Sequence, residues 1–157
     1  MNEINNLIEV AEKKLSNVDH LLLVTFPVIN DPKLLAPIAE SLANCAFTAI
    51  EALLKYERAY KRIHSLPNNL DIMFNIFESE VVNRYKLSKN IIIMLNDLKN
   101  LLQSRKKSAV EFVKNDRYII CSNEYYTTII TQEKLITYKE LTSKFINQIK
   151  EIVSRRS

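Results

Sequence analysis

The chain is 157 residues long, which suits one domain able to bury roughly 70% of the surface its unfolded form exposes. Apolar residues make up 47% and charged residues 25%, but glycine is absent; this excludes the P-loop, the dinucleotide-binding turn, the nucleophile elbow and the EF-hand loop, all of which need it. The formal charge is +4 and the pI is near 9.0, a balance that permits nucleic-acid or other anionic partners without requiring them.

A first helix is predicted over residues 3–26, with Ile4, Leu7, Ala11, Leu15, Val18, Leu22 and Thr25 on one stripe of 3.6-residue period. Pro27 is expected to bend or end it. Asp31-Pro32 reads as an N-cap followed by the first helical position. The second helix then runs to about Ile63, with Pro37 marking a kink or a delayed start. Its stripe is Leu35, Ile38, Ala39, Leu42, Ala43, Ala46, Ile50, Leu53 and Leu54. Its alanines invite a neighbouring helix to approach closely. Residues 65–69 form a loop. A third helix carries Leu70, Met73, Phe74, Phe77, Val81 and Tyr85, and Ser88 caps a fourth carrying Ile91, Met94, Leu95, Leu98, Leu101 and Leu102.

Ser108-Ala-Val-Glu111 fits a capping box and predicts a short helical turn to about Lys114. The chain then turns β-branched and aromatic at 117–121 and 124–130. Ser122-Asn123 between these runs predicts a small β-hairpin over 117–130. Thr131 caps a last helix, with Leu135, Tyr138, Leu141, Phe145, Ile149 and Ile152 facing the core and Arg155 and Arg156 at its C-terminal end, where cations suit the helix dipole. The expected fold is therefore an all-α bundle of about five helices, one domain over 1–157, with a small hairpin near 117–130. Helix content should reach roughly 65–75%, about twice that of an average domain.

Cys45 and Cys121 stand 76 positions apart, neither in a C-x-x-C pair, and only two histidines accompany them. Neither a zinc site nor a disulfide framework is expected, and no cofactor is implied. The apolar run 34–54 carries Glu40 and Glu51, which argues against a membrane span. No leader is visible at Met1–Asn6, and the expected location is the cytoplasm with reduced thiols.

Charge is uneven: Glu3, Glu9, Glu12, Asp19 and Asp31 outweigh Lys13 and Lys14 over residues 1–31, so the rest of the chain holds the basic excess. His20 stands on a helix end that Leu21–Val24 make apolar almost all round. It reads either as a partly buried histidine bonded to a neighbouring element or as a ligand-binding group. Lys55, Arg58 and Arg62 share one helical face, with Tyr56 and Tyr60 interleaved. They read as cations gathered at a helix C-terminus or as a phosphate-facing patch. Arg105-Lys106-Lys107 offers the same two readings. No serine or cysteine nucleophile has a base at usable spacing. The alanine-rich second helix and the apolar end near His20 offer more apolar surface than one small bundle covers, so a homodimer is expected.

Arg58-x5-His64 resembles the R-x(4–6)-H motif of HEPN domains, as do the two long antiparallel first helices. These are all-α, often dimeric proteins, many associated with RNA cleavage or nucleotide binding. The segments 16–35, 106–112 and 118–124 more closely resemble a family of small archaeal helical proteins with no established activity. The HEPN resemblance implies His64 as acid or base and Arg58 as phosphate stabiliser, without a metal. On one continuous helix, six steps turn these side chains ~120° apart. A shared site thus requires the helix to end near Arg62, or two subunits to meet. The reading that follows is a non-catalytic homodimeric module binding a protein or RNA through His20, Lys55, Arg62, Arg105, Lys106 and Lys107. The alternative is a metal-independent ribonuclease using Arg58 and His64.

Overall fold

A computed structural model of the chain describes residues 2–66, 68–107, 110–121 and 127–155. Helix α1 (Asn2–His20) continues through a π-helical turn, Leu21–Thr25, into α2 (Phe26–Ile29). Pro27 therefore does not end the helical run, which continues to Ile29. The wider π turn precedes it, and Phe26 N–H reaches back to Leu21 O, which relieves the clash a proline makes inside a regular α-helix. Asn30 in the left-handed region closes this helix.

Asp31 does cap the next one, its carboxylate accepting from Lys33 N–H at 3.0 Å. A 3-10 turn at Pro32–Leu34 delays α3 (Leu35–Ala59), so Pro37 falls in its first turn, where no N–H is needed. Helices α4 (Leu70–Ile76) and α5 (Val82–Tyr85) flank a second π turn, Phe77–Val81. Helix α6 (Lys89–Lys106) starts on Ser88, whose hydroxyl accepts from Ile91 N–H. Helix α7 (Gln132–Ser154) starts on Thr131, which accepts from Lys134 N–H. Of the described residues 77% are helical, in five continuous rods.

Helix α3 is the axis of the bundle. Its buried residues run from Leu35 to Glu57 and cover most of its circumference, because α1, α6 and α7 all pack on it. Its alanines let those neighbours close in. The surplus apolar surface that suggested a second subunit is thus covered by the chain's own helices. The apolar end near His20 is not. Leu22 and Phe26 are buried, whereas Val24 is 52% and Val28 82% exposed.

Three antiparallel strands, β1 (Val110–Lys114), β2 (Arg117–Cys121) and β3 (Thr127–Ile130), lie in that order. The pairing of β2 with β3 is the expected hairpin, and its Ser122-Asn123 turn lies outside the described residues. Strand β1 replaces the helical turn expected from the capping-box pattern. Ser108 lies outside the described residues, while Val110, Phe112 and Val113 favour a strand. Asn115-Asp116 then closes a tight turn with Asn115 at φ 58°. Ile120 and Ile130 face the helices, and Phe112 and Ile129 face out.

Candidate functional site

The last turn of α3 builds the site. Ile50, Leu53 and Leu54 are buried, and Glu57 continues their stripe, so its carboxylate is carried into the interior with no exposure at all. Burying a charge is costly unless it is paired and hydrogen-bonded, and this one is. Oε1 accepts from Arg62 Nη1 at 3.3 Å and from the Tyr85 hydroxyl. Oε2 accepts from Arg84 Nη1. Arg62 Nη1 also donates to the Tyr85 oxygen at 2.9 Å.

The backbone brings Arg62 back over Glu57. Helix α3 stops at Ala59, and Lys61 takes the left-handed conformation at φ 60°. Lys61 N–H then donates to Arg58 O and Arg62 N–H to Glu57 O, both at 2.9 Å, which is the Schellman closure of a helix end. Arg62 is thereby tied to Glu57 twice, through its main chain and through its guanidinium. The guanidinium also lies 5.9 Å from the Tyr56 ring centre and 5.4 Å from that of Tyr60, a cation–π distance. Arg84 and Tyr85 come from the end of α5, where Lys86 at φ 52° and a Leu87 N–H to Val82 O bond close the turn.

These groups line a cavity of about 260 Å³ bounded by Tyr56, Arg62, Arg84, Tyr85, Ile152 and Arg155. Three helix C-termini meet there, which accounts in part for the cations. At α3 and α5 the carbonyls of Glu57, Arg58 and Val82 are already met by N–H groups, however, so Arg62 and Arg84 keep donors to spare. Arg62 and Arg84 each spend only Nη1 on Glu57 and Tyr85. Their Nε and Nη2 have no partner among the described residues, and neither has the Arg155 side chain. Burial, then the bond to Glu57, pushes the Tyr85 phenol up to about 12. Burial also disfavours the Arg62 charge, but Tyr85 and Glu57 outweigh it and its pKa is raised. The cavity therefore holds fixed positive charge beside a Tyr85 phenol that stays protonated near neutral pH.

Of the catalytic and binding candidates His20, Lys55, Arg58, Arg62, His64, Arg105, Lys106 and Lys107, the cavity takes in Arg62 alone, joined by the interleaved Tyr56 and the helix-end Arg155. The shared face of Lys55, Arg58 and Arg62 does not exist, because the helix ends before Arg62. Lys55 is neutralised instead by Glu3 and by Glu51 at 3.6 Å, and Glu3 is held below the usual carboxylate range by that bond. Arg58 and His64 are both exposed, and neither side chain makes a hydrogen bond or ion pair among the described residues. His20 is exposed, not partly buried, and bonds to nothing described. Arg105 ties α6 to Glu40 at 3.3 Å and to Glu111 at 3.2 Å, a structural brace, while Lys106 and Lys107 are exposed at the end of α6.

Sequence reasoning missed Glu57, although one signal was present: a carboxylate at the next position of a buried stripe. Wider clefts of about 350 and 440 Å³ follow the seam of α1 and α7, but their lysines are neutralised, Lys139 by Asp19 at 2.6 Å and Lys150 by Glu12 at 3.2 Å, which leaves these clefts without free positive charge. Among the described residues no helix is long and apolar enough to cross a membrane, and no cluster of three or more His, Cys, Asp or Glu is placed to hold a metal. In comparisons with known proteins, no family model, no curated protein and no solved structure matches this chain.

Proposed function

We propose that the protein is a non-catalytic module that binds single-stranded RNA, with the arginine-lined cavity holding a phosphate group. The observation that carries this reading is the pair of guanidiniums fixed by a buried carboxylate with their remaining donors free. Such preorganised forks suit phosphate oxygens better than a mobile lysine does. The segments that supply the cavity also carry Arg58, Lys61 and Lys86 exposed, which gives a backbone a basic approach. The guanidiniums keep their charge at neutral pH and the Tyr85 phenol, raised to about 12, stays neutral, so neither exchanges protons there, which favours binding over acid–base cleavage.

The test is fluorescence anisotropy of a short labelled RNA across a salt series. Affinity should fall steeply with salt, and replacing Arg155 with Ala should reduce the slope by about 0.7, the value for one phosphate contact on a single strand. Arg155 is the informative position because its side chain bonds nothing among the described residues. No binding at low salt overturns the RNA reading in favour of a protein partner. Cleavage in EDTA that is lost in His64→Ala overturns it in favour of the ribonuclease.

A further inference from the structure

We infer that the cavity selects a terminal phosphate of RNA, a phosphomonoester dianion, over the internal phosphodiesters of the strand. This rests on the RNA-binding reading and adds to it which phosphate is bound.

Charge is the first ground. Three guanidinium charges against the single Glu57 carboxylate leave the cavity a formal excess of +2. A phosphodiester carries one negative charge, whereas a phosphomonoester carries about −1.5 to −2 at neutral pH. A dianion balances the site and a monoanion leaves it half-neutralised. Size is the second ground. At about 260 Å³ the cavity lies below the ~300–1,000 Å³ that encloses a drug-sized ligand. It admits a phosphoryl group and part of one sugar. An internal phosphate would have to bring a nucleoside in on each side.

Donor geometry is the third ground. Glu57 holds Arg62 and Arg84 by Nη1 alone, so each can still present Nε and Nη2 as a two-toothed fork, and Arg155 closes the cavity from the end of α7. Three forks match the three terminal oxygens that a monoester offers; a diester offers only two. The Tyr85 hydroxyl is spent on Glu57 and does not compete. Glu57 is thus a positioning residue. It touches no ligand, and it fixes the two arginines before any ligand arrives, which lowers the ordering cost of binding.

The experiment uses the full chain and three RNA strands of one sequence, bearing a 5′-phosphate, a 3′-phosphate or hydroxyls at both ends. At least one phosphorylated strand should bind at least about fivefold more tightly than the hydroxyl strand, as expected for added charge-assisted bonds. Inorganic phosphate should erase that difference. Arg62→Ala and Arg84→Ala strip partners from a buried carboxylate and risk unfolding, so Arg155→Ala is the variant of choice; it should weaken the phosphorylated strand more than the hydroxyl strand and so shrink the preference. A smaller preference at both ends overturns the inference, and if that binding is still salt-dependent the RNA-binding reading survives it. Failure of all three strands to bind overturns both. A phosphoserine peptide that binds more tightly than every strand overturns the inference in favour of a phosphoprotein partner.

Discussion

Replacing Glu57 with Gln tests whether the buried carboxylate holds this end of the bundle together. The amide keeps the size and one acceptor oxygen, so the Arg62 and Tyr85 bonds survive as weaker, neutral-acceptor bonds. The other oxygen becomes an NH₂ group facing Arg84, and that charge-assisted bond is lost outright. Hydrogen bonds to charged groups contribute about 1.5–3 kcal/mol each, and breaking a wholly buried ion pair costs about 3–5 kcal/mol. The arginine side chains are 19% and 36% exposed, so water can solvate part of what they lose. The expected destabilisation is therefore about 2–3 kcal/mol, or a fall in Tm of roughly 5–10 °C for a chain of this size. Urea unfolding at unchanged m-value is the assay. Glu9→Gln, at an exposed carboxylate whose side chain bonds nothing among the described residues, should stay within about 0.5 kcal/mol of the parent. A double-mutant cycle with Arg84→Met should be clearly non-additive, because the two side chains share one interaction. A loss below about 1 kcal/mol, or an additive cycle, would refute the reasoning.

Alkaline pH should loosen the fold. Tyr85 is pushed up to about 12 by burial and Glu57, and Tyr138 is raised further by burial and Asp97, whereas an unfolded phenol titrates near ~10. The stability these phenols contribute is thus complete below about pH 10 and is lost as pH rises through the folded values; for Tyr85 it amounts to roughly 2–3 kcal/mol. Urea midpoints should fall over that range and fall less in Tyr85→Phe, and a flat profile to about pH 12 would contradict this. Thiol reactivity should be split. Burial pushes Cys45 up to about 12 and its thiol donates to Ala11 O at 3.2 Å, so iodoacetamide should alkylate Cys121 in the native protein and both thiols only in urea. Labelling of Cys45 at the same rate as Cys121 would contradict this.

What the sequence showed well was local. The helix starts at Asp31, Ser88 and Thr131 depend on one side chain and one N–H a few residues on, and each formed as read. The apolar stripes depend only on period, and they are the buried faces. Strand β1 was misread because Ser108–Glu111 carries a helix-start pattern; pairing with β2, a tertiary matter, decides the outcome. Pro27 does not end its helix because a π turn can absorb a proline, and nothing in the residue order distinguishes that from a helix end.

The candidate site was legible only in fragments, because it is assembled from three helix ends far apart in sequence. Arg62 and Glu57 are close neighbours, yet treating 55–62 as one continuous helix put them on different faces. The missing piece of information was where α3 stops. Glycine ordinarily announces that point, and this chain has none. Asn30, Lys61, Lys86 and Asn115 take the left-handed conformation in its place. Two of the four are lysines, which bear the Cβ clash that glycine avoids, at a cost of about 1–2 kcal/mol.

That cost gives a further expected outcome. In Lys61→Gly the clash disappears, while the unfolded chain gains freedom worth roughly 0.5–1 kcal/mol. The net change should be a stabilisation of about 0.5–1 kcal/mol, seen as a raised urea midpoint. Lys61→Val should move the midpoint the other way, since a β-branched residue is poorly suited to positive φ. The Schellman bonds run through main-chain N–H groups that both variants keep, so Lys61→Gly should leave Arg62 on Glu57 and the cavity intact. A midpoint lowered by glycine would mean that the Lys61 side chain contributes more to this helix end than its backbone costs, and the assignment of Lys61 as a strained stand-in for glycine would have to be given up.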